Sequence, residues 1–411
     1  MLLLVVGLVY ALAFWAVTFR HPKVALLMIF ASAPFQNDIS GGGPIKFSIA
    51  EVNLLLSVPV FFICSRPIRF GPIGVPVFVY IAVCVVASLL SWRASSLVSL
   101  VQIGLYYCFA VMIFTSFVRS EKDFRLAFEG LIVVCVFLAI VGIVSRSNYY
   151  LGLHKNGVGA SLASGLVVAV ELLFSTKEKM RKRFYSISLG IISCGLLLSL
   201  SRGAWVAAIV GLATVFGLRR QFRMMVKAAF IMIPLIAVCW TSLPKEQKGY
   251  ALGFDRNSYS INARYLNIAE FKKHFERNEI LGEGVGLRKE IDATNIVWLT
   301  LAETGVVGLV ALLLVQVVFL STVWATQLNL DRGSMLFSVL VIGAALVLGR
   351  FAHGMFDHYW GRGPIMIAWA SAGMAMHAWY AKRRYRILSS RLRRRASQAR
   401  SNEPFNEAVP A

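Results

Sequence analysis

A chain made of many apolar segments in series, each about as long as a membrane crossing, has few folds open to it. A crossing needs about 20 apolar residues, at 1.5 Å rise, to cover about 30 Å of hydrocarbon. In this sequence of 411 residues such segments lie near 1–19, 24–36, 47–64, 73–91, 97–118, 126–145, 157–174, 186–200, 203–217, 225–243, 304–325, 335–349 and 364–380. Hydrophobic residues make up 58% of the chain and its mean hydropathy is +0.69. The expectation is an all-α integral membrane protein of about 12–13 transmembrane helices, with no soluble domain outside them.

The joints between segments are of two kinds, and they alternate. One kind is crowded with Lys and Arg. The other has fewer cations, mixed with His, Asn, Asp and Gly. Joints 20–23, 65–70, 119–125, 175–185, 218–227 and 326–334, with the tail from 381, hold 26 of the 42 Lys and Arg, leaving 16 for the opposite face. Short joints rich in Lys and Arg face the cytoplasm, so the first set and the C-terminus are expected there. An odd number of spans then puts the N-terminus outside.

This placement also explains the net charge of +22. The basic tail KRRYRILSSRLRRRASQAR is juxtamembrane and suits anionic lipid, so membrane lipid is the expected partner and nucleic acid is not. Cys64, Cys84, Cys108, Cys135, Cys194 and Cys239 all fall within apolar segments without CxxC spacing. They read as small core hydrophobes rather than as disulfides or metal ligands. Residues 1–19 lack a basic leader, so no cleaved signal peptide is expected.

Two joints stand out. Residues 184–217 are nearly unbroken and apolar, too long for one span, yet they lie between two basic joints that belong on the same face. The chain must therefore turn back, and Ser199-Leu200-Ser201-Arg202-Gly203 is the only polar break. Arg202 then sits near headgroup depth on the outer face. A guanidinium there is costly, and it binds phosphate bidentately. The second joint is a 49-residue outer loop, 244–292, with nine Lys and Arg against eight Asp and Glu. Within it, INARYLNIAEFKKHFER places Ile268, Phe271 and Phe275 on one helical face, with Arg264 a turn earlier on the same stripe.

The motif SLSRGAW at a hairpin tip resembles the bacterial O-antigen ligase and polymerase superfamily. So does a long external loop holding an Arg, followed by ILGEGVG and then an Asn-bearing segment that leads into ETGVVGL. The likeness covers roughly residues 150–380. It implies a polytopic, metal-independent, inverting glycosyltransferase that uses undecaprenyl-diphosphate-linked glycans, with no cofactor. The ligases carry a His, then Asn, Ser or Gln, nine residues, and Gly-x-x-Gly. Here Asn295 and Gly305-Val306-Val307-Gly308 fit that frame, but Thr294 stands where the His would be. A Thr hydroxyl is no general base at neutral pH, so the base must come from elsewhere.

Two outer constellations are candidates. In RFAHGMFDHYWGRG, His353 and Asp357 lie one helical turn apart, as do His358 and Arg362. A carboxylate beside an imidazole orients the ring and raises its basicity. These side chains could also hold a metal, although the resemblance implies none. In Leu153-His154-Lys155-Asn156-Gly157, Lys155 and a helix N-terminus together could hold phosphate. Glu303, at the start of a span, is a partner for Arg202 or Arg264, or an acceptor-positioning group.

The resulting expectation has Arg202 and Arg264 neutralising the departing diphosphate and His358 or His353, supported by Asp357, as base. Lys155, Asn156, Thr294, Asn295, Glu303 and Arg362 bind substrate. The resemblance implies a bacterial inner membrane, a periplasmic active site, and a glycan or lipid A-core acceptor. It also implies association with other membrane proteins of polysaccharide assembly. Thr294 tilts the reading toward an exopolysaccharide or O-antigen polymerase, with a lipid A-core ligase as the alternative. A transporter is the competing class, with polar residues expected in both halves of the bilayer. The chain divides into N-terminal helices 1–150, a ligase/polymerase-like core 151–381 that includes loop 244–292, and a disordered basic tail 382–411.

Overall fold

A computed structural model describes residues 2–39, 47–64, 68–145, 149–241, 243, 248–249, 259–328 and 330–401. Among the described residues the protein is all-α apart from one two-residue-by-two-residue hairpin. Its helices are α1 (Leu2–Thr18), α2 (Lys23–Ser32), α3 (Ile49–Cys64), α4 (Gly74–Leu90), α5 (Ala94–Phe117) and α6 (Glu121–Ser145). Strands β1 (Tyr149–Tyr150) and β2 (Leu153–His154) follow, then α7 (Lys155–Ser175), α8 (Lys179–Leu198), α9 (Arg202–Arg219) and α10 (Phe222–Thr241). The rest are α11 (Tyr259–Arg277), α12 (Ile296–Gln327), α13 (Met335–Gly354) and α14 (Arg362–Ser401).

Each of the thirteen apolar segments is helical over most of its described length, and among the described residues seven helices are long and apolar enough to cross a membrane. The protein is a multi-pass membrane protein. Helix α2, at ten residues, rises only about 15 Å and does not cross on its own. It is buried through Ala25, Leu26, Ile29 and Phe30, and it delivers the following residues, Gln36 to Asp38, to the wall of a cavity at one end of the bundle.

Helices α7 and α13 form the centre, with α13 packed on α7, α9 and α14. Small residues on α7 (Gly159, Ala160, Ser161, Ala163, Gly165) let neighbouring backbones come close, which is how helices associate where no water drives them together. The chain between α8 and α9 turns at Ser199–Ser201, with Leu200 in the left-handed region. The segment from Lys382 continues α14 to Ser401 instead of leaving the helix as a disordered tail, in keeping with its Arg, Leu, Ala and Gln content. Residues 402–411 of that tail, and 244–247 and 250–258 of the long loop, lie outside the described residues. None of the six cysteines forms a disulfide, and four of them are buried.

Helix α12 is broken at Gly305, which has φ 64° and ψ −167°. That combination is essentially open to glycine alone. A break in an apolar helix frees backbone groups that hydrocarbon cannot satisfy. Here the chain just after α11 satisfies them. Val306 N donates to Glu279 O (2.9 Å), Val307 N to Ile280 O (3.3 Å), and Glu283 N to Ala302 O (2.9 Å). The motifs ILGEGVG and ETG are thus two halves of one joint, which fixes the loop to the membrane bundle. Gly305→Ala is expected to lower stability by about 1–3 kcal/mol or more, read as a drop in the thermal midpoint of the detergent-solubilised protein.

Candidate functional site

One end of the bundle is hollow. A cavity of about 930 Å³ is bounded by the start of α7, the end of α13, the start of α14, the chain after α2, and residues 263–294. Such a volume suits an extended small-molecule substrate. Its lining includes Arg264, Arg288, Lys289, Arg350 and Arg362 against the carboxylates Asp38, Asp292 and Asp357.

The loop cations are held by the joint at Gly305. Helix α11 buries Phe271, with Ile268 and Phe275 half-buried; Phe275 meets Trp298 at 6.4 Å between ring centres. Arg264, on that stripe, reaches the cavity. Downstream, the buried Glu303 accepts hydrogen bonds from Gly286 N (2.8 Å) and Arg288 N (3.3 Å). Glu303 therefore shapes the turn that carries Arg288 and Lys289 and does not line the cavity. Arg93 ties the same turn to α5 through Glu283 (2.8 Å) and Glu290 (2.7 Å). Burial works against ionised Glu283, but hydrogen bonds and charge from His274 and Arg277 outweigh it and hold the carboxyl below its usual range.

Arg288 lies over the Trp360 ring, 4.2 Å from its centre, and donates through Nη2 to Ser99 O (3.0 Å). Its Nε and Nη1 are shielded from solvent and have no hydrogen-bond partner. Buried polar groups are normally satisfied, so two orphaned guanidinium donors beside a cavity point to a bound acceptor. Partial burial, and then the charges of Arg288 and Arg362, push Lys289 down to about 8, with Glu51 and Glu303 opposing. Cations crowded closely enough to depress a neighbouring ammonium form a site short of negative charge. Arg362 has its own carboxylate behind it, since Nε is 3.7 Å from buried Glu51.

Across the cavity, the end of α13 and the turn after it carry the two histidines. Asp357 N and Phe356 N both donate to His353 O (3.0 Å), so His353 and Asp357 keep one-turn spacing as α13 ends. Arg350 Nη1 lies 2.8 Å from His353 Nδ1. A guanidinium only donates, so Nδ1 is the acceptor and the ring proton sits on Nε2. Nε2 is buried without a partner. His353 is therefore set up as a hydrogen-bond donor, and the lone pair a base needs is already taken. Arg350 also donates to His358 O and Tyr359 O, clamping the turn that follows α13.

His358, expected to be supported by Asp357, has a different carboxylate. Its Nε2 is 2.6 Å from Asp292 Oδ1, while Asp357 accepts the His358 backbone N–H (2.7 Å). The His358 side chain is 52% exposed. Burial alone would lower its proton affinity. The hydrogen bond to Asp292 and the charges of Asp357 and Asp292 outweigh burial, and the pKa rises above its ordinary 6.5. Asp292 is held low by the same hydrogen bond, with the Arg264 charge adding to it. With Nε2 bound to Asp292, Nδ1 is the nitrogen left for a substrate.

Among the sequence-derived candidates, Arg264, His353, Asp357, His358, Asn156, Thr294 and Arg362 line this one cavity. Thr294 is buried with its hydroxyl unpartnered. Arg202, Lys155, Asn295 and Glu303 do not line it. Asn295 caps α12, accepting from Val297 N (3.0 Å) and Trp298 N (3.1 Å), and donates to Met355 O (3.2 Å), which couples that cap to the turn carrying His358. Arg202 is half-buried at the start of α9. Its neighbour Gly203 closes on the histidine, and a Cβ there would lie 3.2 Å from the His353 ring and 3.5 Å from Asp357. Asp292, Arg288 and Lys289 were not singled out from sequence, although LRKEID carries four charges in six residues. Among the described residues no three His, Cys, Asp or Glu side chains are grouped to hold a metal ion. No protein-family model matches the chain, and no curated protein matches it.

Proposed function

We propose that this protein is a membrane glycosyltransferase of cell-surface polysaccharide assembly, acting as an exopolysaccharide or O-antigen polymerase at the periplasmic face of a bacterial inner membrane. One observation carries the reading: Arg264, Arg288 and Lys289 share a single cavity with the Asp292–His358 pair, at one end of a membrane bundle. A polyprenyl-diphosphate donor needs charge stabilisation as its diphosphate departs, and preorganised cations supply it without a metal. His358 Nδ1 takes the proton of the attacking sugar hydroxyl. The new glycosidic bond forms as the bond from the anomeric carbon to the phosphate oxygen breaks, and its electron pair leaves with the polyprenyl diphosphate. Attack opposite the leaving group inverts the anomeric centre. The His353 Nε2–H is a donor for an oxygen that gains charge in this step.

A transporter would need a polar path through the other half of the bundle. Among the described residues, the buried Glu171 and Arg219 there are paired with each other, and buried Asp123 is taken up by the backbone N–H groups of Arg119 and Ser120, which favours transfer over transport. The test is glycan length in a strain lacking the protein, complemented with wild type or with Arg264→Ala or Arg288→Ala. Single repeat units on the lipid carrier, extended to long chains only by wild type, support polymerisation. Long chains that stay on the carrier and never reach lipid A-core indicate ligation. Full complementation by both variants overturns the reading.

The two titrating groups also set a pH profile. Transfer requires neutral His358, so the rate is expected to climb as pH rises through a value above 6.5. It requires charged Lys289, so the rate falls as pH passes about 8. Lys289→Arg keeps its charge in that range. It is therefore expected to remove the alkaline limb and leave the acid limb in place, as measured from kcat/KM against pH with purified protein and lipid-linked repeat units.

A further inference from the structure

The cavity has a second wall of different chemistry. The lining from residues 36–38 and 149–157 contains Gln36, Asn37, Asp38, Tyr149, His154 and Asn156 and no Lys or Arg. Lys155 belongs to the same stretch but is buried and does not line the cavity. Among the described residues, the five Lys and Arg of the lining come from 264–289 and 350–362.

This wall is built and fixed in place. Strands β1 and β2 pair Tyr149 with His154, whose rings meet edge-on at 5.0 Å. Asn37 Nδ2 donates to Leu151 O (2.8 Å) at the hairpin turn, and Gln36 Nε2 donates to Gly157 O (3.1 Å) at the start of α7. Each amide keeps its oxygen as an acceptor and one N–H as a donor, and Asp38 adds a carboxylate to the same lining. Tyr149 is 62% exposed and offers an aromatic face. Amide donors and acceptors grouped around an aromatic ring match a pyranose, whose hydroxyls both donate and accept and whose C–H face is apolar. The Asp38 carboxylate among them disfavours an anion. The wall also lies close to the base, since burial first, and then the charges of Lys155 and His358 against that of Asp357, shift the proton affinity of His154 downward.

We propose that residues 36–38 and the 149–154 hairpin form the acceptor-sugar subsite, and that it selects an uncharged accepting residue over one bearing carboxylate or phosphate. The inference rests on the transferase reading and deepens it, because it divides one cavity into a cationic donor side and an acceptor side that excludes anions. It also favours polymerisation on a neutral glycan end over transfer to a phosphorylated acceptor sugar.

The experiment uses the full chain in lipid nanodiscs and saturation-transfer NMR. The probes are a panel of neutral disaccharides, the matching disaccharides ending in a uronate, and geranylgeranyl diphosphate. Saturable binding of at least one neutral disaccharide is expected, with no binding of its uronate counterpart. Tyr149→Ala should weaken the neutral sugar about tenfold and leave geranylgeranyl diphosphate unchanged. Asp38→Lys should admit the uronate. Both side chains are exposed, so neither variant endangers the fold. Equal binding of the two panels, no sugar binding, or indifference of sugar binding to Tyr149→Ala overturns the subsite while diphosphate binding upholds the donor side. Failure of geranylgeranyl diphosphate to bind, or its indifference to Arg288→Ala, overturns the transferase reading itself.

Discussion

His358→Gln is expected to cut glycosyl transfer by roughly 10²–10⁴-fold, the usual contribution of a positioned general base, while polyprenyl-diphosphate affinity stays within about twofold of wild type. The split follows from the geometry. His358 faces Asp292 and the cavity, whereas the orphaned guanidinium donors belong to Arg288. His353 cannot take over, because Arg350 occupies its Nδ1 and fixes the proton on Nε2. Asp292→Asn should produce a smaller loss with a distinct signature. The Asn oxygen can still accept from Nε2, but the bond loses its charge assistance, and one of the two charges that raise His358 is gone. The acid limb of the pH profile then moves to lower pH, and the maximal rate drops because the base is weaker and less well oriented. Single-turnover rates with lipid-linked repeat units, together with a separate titration of diphosphate binding, distinguish these outcomes. Loss of binding in His358→Gln in parallel with rate would assign the imidazole to the donor phosphate instead.

The helices were legible because an apolar segment of this length has one way to satisfy its backbone in hydrocarbon. The turn at Ser199–Ser201 was legible for the same reason, since topology demanded it and only one polar break existed. The stripe Ile268–Phe271–Phe275 followed from period alone. What sequence spacing could not supply was the pairing of residues far apart in the chain. His358 meets Asp292 across 66 positions of sequence, and Asp357, one position away, drew attention because it was close in sequence. Glu303 looked like a site residue because it is a carboxylate in an apolar span. Its role is to receive two backbone donors of a turn, and a buried carboxylate serving the main chain looks the same in sequence as one serving a substrate. Arg288 and Lys289 were hidden in a loop whose charges nearly cancel. They became prominent only once Glu303 and the break at Gly305 placed them on the cavity.

The largest stability effect is expected far from the cavity, at Arg219→Ala. Arg219 ends α9 in a joint whose basic residues read as a topology signal, and Glu171 lies in the apolar run VAVELLFS of α7. In the fold the two form a buried bidentate pair, with Nε 2.6 Å from one carboxylate oxygen and Nη2 on the other. Arg219 further donates to Arg332 O (3.1 Å) and Ser338 Oγ (3.2 Å) and lies between the rings of Phe174 and Phe337. One guanidinium thus ties α7, α9 and the start of α13 together at the end of the bundle opposite the cavity. Removing it leaves the Glu171 carboxylate buried without a counter-charge, a change that typically costs about 3–5 kcal/mol. Replacing both partners with apolar residues, Glu171→Leu with Arg219→Met, should recover most of that loss, because the unpaired charge and not the missing attraction dominates. Thermal unfolding of wild type, both single variants and the double variant in one detergent closes the cycle. If the double variant is as unstable as Arg219→Ala, the contacts to Arg332, Ser338 and the two Phe rings carry the stability, and the ion pair is secondary. Diphosphate binding in whichever variants stay folded should match wild type, since neither residue reaches the cavity.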